Sequence, residues 1–127
     1  MAEADRQVSA VTGSRIRVEL LVVRDCANEQ AAAELLRRAL DEAGLDDVTF
    51  ETSIVSNQEQ AQARNFTGSP AFMLDGQDPL AAAGAAPAVA CRVYQTGHGR
   101  SGTPDQNDLV RAIRLKLADD PRRRPGK

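Results

Sequence analysis

The sequence predicts an α/β domain of order β-α-β-α-β-β-α, built on a four-stranded mixed sheet with helices on both faces. Three observations carry this. Short β-branched and apolar runs alternate with segments of helical periodicity in the first half, which requires parallel crossovers. Two strand-like runs then follow one another with no helix between them, as in an antiparallel pair. The chain has 127 residues and 13.6 kDa, room for one domain, and a chain of that size buries roughly two-thirds of its unfolded surface.

Residues 1–14 are small and polar, include Gly13 and Ser14, and are expected to form a disordered leader ahead of a domain spanning 15–118. Ile16 to Val23 alternates and then turns wholly apolar, as a strand entering the middle of a sheet does. From Ala27 to Ala43 the residues Ala31, Leu35, Leu36, Ala39, Leu40 and Ala43 recur at helical spacing, with Asp25 as the expected cap and Gly44 as the stop. Val48 to Val55 reads as a second strand, and Ser56 or Asn57 caps a short helix over 58–65. Gly68, Ser69 and Pro70 precede a short apolar strand from Ala71 to Asp75, and Gly76 to Ala88 is rich in Ala, Gly and Pro and reads as irregular. Val89 to Gln95 is the fourth predicted strand. A glycine-rich turn at 97–102 leads to a last helix, capped by Asp105 or Asn107 and striped by Leu109, Val110, Ile113 and Leu117.

Composition removes several function classes. With three Phe, one Tyr and no Trp there is no aromatic platform for stacking bases or sugars. The net charge is −2, but Arg122, Arg123, Arg124 and Lys127 lie in a tail expected to be disordered over 119–127. Without them twelve basic residues face eighteen acidic ones, which speaks against nucleic acid as a partner. No apolar run approaches the ~18 residues of a membrane span, so no membrane partner is expected. The polar N-terminal residues lack the apolar core of a signal peptide, and two cysteines are too few for a secreted disulfide framework. The expected location is the cytoplasm. One His and two scattered Cys do not form the clustered spacing of a zinc site, so no metal is expected.

Cys26 is the candidate nucleophile. It follows the carboxyl end of the first strand, where ligands bind in α/β sheets, and opens the next helix, whose N–H groups and dipole favour a thiolate. Asp25 and Glu29 oppose that effect, and free cysteines are also often simply buried. Pro70, at a strand start where its missing N–H is not needed, has a purely structural reading as well. His98 is the only histidine; the turn that carries it is expected near Cys26 and Pro70, either assisting the thiolate or pointing into water.

The order of elements, with Cys26 after the first strand and Ser69-Pro70 opening the third, resembles the thioredoxin superfamily over about residues 16–118. Gly68-Ser69-Pro70, the run from Asp75 to Pro79, and Cys91 to Tyr94 resemble more narrowly small actinobacterial-type thioredoxin-like proteins, some of which carry the label alkylmercury lyase-like. The resemblance implies a sheet order 2-1-3-4 and a cis Ser69–Pro70 bond. It further implies a Ser69 backbone that faces the Cys26 sulfur and is free to pair with an extended thiol substrate. In the superfamily a Cys-x-x-Cys pair does the chemistry, whereas here Cys26-Ala27-Asn28-Glu29 puts Glu29 in the resolving position. The implied activity is therefore monothiol: exchange or capture on a thiol or disulfide substrate. No bound cofactor is needed, and glutathione or another low-molecular-weight thiol serves as co-substrate. In that sheet order Cys91 lies two strand spacings, ~9.5 Å, from the first strand and ~10 Å from the active edge, beyond the ~7 Å reach of a disulfide. Two alternatives stand: organomercurial cleavage using Cys26, Cys91 and an acid, and a non-catalytic binding module. The sequence leaves the oligomeric state open.

Overall fold

The computed structural model describes residues 16–119. The expected leader lies outside the described residues, as does all but the first residue of the expected tail. The elements are β1 (Val18–Val22), α1 (Glu29–Glu42), β2 (Phe50–Ile54), α2 (Gln58–Arg64), β3 (Ala71–Leu74), β4 (Tyr94–Thr96), β5 (Gly99–Ser101) and α3 (Gln106–Asp119).

β1 is the centre of a three-stranded sheet of order β2-β1-β3. It pairs in parallel with β2, Val18 opposite Phe50 and Val22 opposite Ile54, and antiparallel with β3, Val18 opposite Leu74 and Leu21 opposite Ala71. Central placement explains its composition, because a strand covered on both faces needs apolar residues in both phases. Val18, Leu20 and Val22 point to one face with Phe72 and Leu74, where α1 and α3 cover them with Leu36, Leu40, Leu109 and Ile113. Leu21, Ala71 and Met73 point to the other, where Ala61 of α2 and Phe66 cover them. Helices therefore lie on both faces of a mixed sheet.

The predicted fourth strand is where sequence and structure part. Residues 89–95 do not join the sheet as a strand; among the described residues their β-bridge to the start of β3 is the isolated one between Ser69 and Cys91. Tyr94–Thr96 instead pairs antiparallel with Gly99–Ser101 in a separate two-stranded hairpin. The cause is the route of the chain after β3. A strand returning directly would run antiparallel beside β3. Residues 88–92 instead run parallel to 66–69: the Ala88 N–H donates to the Phe66 carbonyl at 3.0 Å, and the Ser69–Cys91 bridge is parallel. The irregular 76–88 stretch thus carries the chain back to the starting end of β3.

Candidate functional site

β1 delivers the chain to the end of the sheet, and two successive turns precede α1. Asp25 adopts φ 58°, the left-handed conformation that Asp tolerates better than most residues. It is not the helix cap. Asn28 holds the N-cap position without a side-chain capping bond, and Glu29 is the first helical residue. Cys26 therefore sits three residues ahead of the helix rather than in its first turn. The Glu29 N–H donates to the Cys26 carbonyl at 3.2 Å, so it serves the backbone of this residue and not its sulfur. Helix-dipole stabilisation falls off beyond the first turn, and the group that touches the thiol comes from elsewhere in the chain.

That group is Ser69. Its hydroxyl donates to the Cys26 sulfur at 3.0 Å and accepts the Val23 N–H at 3.0 Å. The Val23 N–H takes one acceptor position of the hydroxyl and leaves its hydrogen available to point at sulfur. Ser69 is 0% exposed, and every polar group it owns is used. Its N–H donates to the Ala90 carbonyl at 2.8 Å, and its carbonyl accepts the Arg92 N–H at 2.9 Å. Pro70 follows, fully buried, after a cis peptide bond. The expectation that the Ser69 backbone stands free for a substrate is thus overturned, because the chain's own residues 90–92 occupy it.

The same pairing relocates Cys91. It stands level with Ser69 at the Cys26 end of the sheet, exposed, and not ~10 Å away along a fourth strand. Ser69 lies between the two cysteines, its side chain toward Cys26 and its backbone toward Cys91. Both cysteines are free thiols.

Residues 88–94 are held by contacts that no sequence pattern advertises. Arg92 forms an ion pair with Asp78, the two side chains only 9% and 4% exposed. Its guanidinium lies 4.4 Å from the centre of the Tyr94 ring, close enough for a cation–π contact. The Tyr94 hydroxyl donates to the Pro70 carbonyl, and the ring meets Phe72 edge-on. Burial pushes the Tyr94 phenol above its ordinary value, opposed by Arg92 and reinforced by Asp78. Gly68, at φ 145°, makes the close approach possible: a Cβ there would stand 2.8 Å from the Arg92 Cβ.

His98 is exposed at the tip of the β4–β5 hairpin, its N–H donating to Thr96 Oγ1 at 3.1 Å. Among the described residues no hydrogen bond joins its imidazole to Cys26. Within the 97–102 segment, Gly102 lies against the Asn28 side chain. The structure thus brings Cys26, Ser69 and Pro70 to one end of the sheet and leaves His98 without a bond to the thiol.

Cys26 opens into a surface groove of 510 Å³ lined by Ala27, Glu29, Gln30 and Ala33. Glu29, in the place of a second thiol, supplies a carboxylate to that groove. Among the described residues no three of His, Cys, Asp and Glu are grouped so as to hold a metal ion, and no helix is long and apolar enough to cross a membrane. A half-buried thiol with an oriented hydroxyl donor can lose its proton and attack a soft electrophile such as a disulfide sulfur. No family model, curated protein or solved structure matches this chain.

Proposed function

We propose that this is a thioredoxin-like monothiol protein, acting in a thiol-reducing compartment such as the cytoplasm, with Cys26 as the exchanging thiol. The observation that carries the reading is the 3.0 Å hydrogen bond from the Ser69 hydroxyl to the Cys26 sulfur. A hydrogen bond to a charged acceptor is about twice as strong as one to a neutral acceptor. Ser69 is thus a donor aimed at the sulfur that carries the chemistry. The Val23 N–H fixes the hydroxyl before any substrate arrives, so no reorganisation is needed at the moment of reaction.

In the exchange, Cys26 gives its proton to solvent and its thiolate attacks one sulfur of a disulfide. The old S–S bond breaks, the departing thiolate takes up a proton, and a Cys26 mixed disulfide remains. With Glu29 in the position of a resolving cysteine, a second external thiol attacks that mixed disulfide and restores Cys26. Glutathione or a similar low-molecular-weight thiol fits this role.

The organomercurial reading gains from Cys91 lying at the same end of the sheet as Cys26. It needs two thiolates and an acid on one metal, and no such group is assembled among the described residues. It stands second. Incubation with oxidised glutathione, followed by mass mapping, tests the first reading. The expected result is an adduct on Cys26 that forms faster than on a model peptide thiol and disappears in Cys26→Ser. An adduct no faster than the model would refute it.

A further inference from the structure

The same end of the sheet bears on the kind of disulfide that can reach Cys26. Next to a reactive thiol at a strand end, an extended polypeptide substrate would bind by adding a strand, its backbone pairing with the nearest free N–H and C=O. Here those groups belong to Ser69, and both are already paired with Ala90 and Arg92. The occupying segment is anchored by the largely buried Arg92–Asp78 ion pair and by the Tyr94 hydroxyl on the Pro70 carbonyl. It is seated against Gly68, where even a methyl group would collide with it. Cys26 also lines the open surface groove formed with Ala27, Glu29, Gln30 and Ala33. The walls of that groove come from the loop and α1, with no strand edge among them.

We propose that residues 88–92 act as a built-in strap that closes the strand-pairing edge and restricts Cys26 to small, non-peptidic disulfides and thiols. The inference rests on Cys26 being the exchanging thiol and assigns that site its substrate class. Arg92 is here a positioning residue, acting on specificity through the strap.

The test uses two mixed disulfides with the same coloured aromatic thiolate as leaving group. One carries 2-mercaptoethanol and the other the cysteine of an extended, uncharged peptide. The full chain bearing Cys91→Ser attacks each through Cys26 alone, forming the Cys26 mixed disulfide and releasing the aromatic thiolate, and a model peptide thiol gives the reference ratio. The strap denies the peptide two backbone hydrogen bonds and the space to lie down, so the small disulfide should be preferred by about tenfold over the reference ratio. Adding Arg92→Ala should raise the peptide rate about fivefold and leave the small-disulfide rate within about twofold. Because that change strands Asp78, Gly68→Ala, which pushes on the strap from beneath, provides an independent release. Cys26 reacting quickly but with the reference ratio overturns the strap and leaves the exchange reading standing, as does a folded Arg92→Ala protein with unaltered preference. Reaction with neither disulfide faster than the reference thiol overturns both.

Discussion

Replacing Ser69 by Ala removes one oxygen and separates two roles of the site. The lost hydroxyl contacts the Cys26 sulfur at 3.0 Å and the Val23 N–H at 3.0 Å. A hydrogen bond is worth about 1.5–3 kcal/mol to a charged acceptor and about 0.5–1.5 kcal/mol to a neutral one. The variant loses the donor that holds the Cys26 sulfur, and exchange with hydroxyethyl disulfide at pH 7 should slow about threefold, a barrier higher by about 0.7 kcal/mol. The Val23 N–H, left without its acceptor at a half-buried site, costs about 1–2 kcal/mol, a fall in the thermal midpoint of about 4–15 °C. A folded Ser69→Ala protein that exchanges as fast as the parent would refute the argument that this hydroxyl acts on the sulfur.

Glu29→Gln removes the carboxylate lining the Cys26 groove, and should speed reaction with anionic oxidised glutathione by about two- to fivefold at low salt, the gain fading by 1 M salt. Equal acceleration with neutral hydroxyethyl disulfide would contradict a charge effect. Tyr94→Phe strands the buried Pro70 carbonyl and should cost about 1–2 kcal/mol by denaturant titration. Because burial raises the Tyr94 phenol above its unfolded value of about 10, stability is intact below that pH and lost as pH climbs above it; the phenylalanine variant should show a shallower alkaline loss. Asn57→Ala deletes the cap on the Gln60 N–H, a bond of 2.8 Å, and should lower stability by about 1 kcal/mol with exchange activity unchanged.

The elements that sequence placed well are those whose pattern is local. β1 alternates and then turns wholly apolar because both of its faces are covered, and Asn57 beside a helical run is a cap signal in itself. Residues 89–95 show the limit. Their β-branched alternation is real, but Val89, Cys91 and Val93 are exposed, and the inward positions are taken by Arg92 in its ion pair and Tyr94. Strand character could be read there, whereas the partner could not. Pairing depended on where the patternless 76–88 stretch returns the chain. Asp25 looked like a cap by type and place, yet two turns intervene before the helix, and turns of this kind leave little trace in periodicity. At the site, Cys26, Ser69 and Pro70 were legible as chemically special residues. The Ser69–Cys26 bond was not, since it spans 43 residues and depends on β1 and β3 being neighbours. Asp78 and Arg92 fall in stretches that read as a loop and a strand, and only their burial together shows that they anchor the strap.

The most direct test of Cys26 as the activated thiol sets it against Cys91 in the same molecule. Limiting iodoacetamide at pH 7, with both sites quantified by mass, gives the ratio of their rates. Accessibility alone favours Cys91, which is exposed where Cys26 is half-buried. A sulfur held and oriented by Ser69 reverses that order: Cys26 should be modified about threefold faster, with the advantage lost in Ser69→Ala. Faster modification of Cys91 in the parent protein would contradict the account.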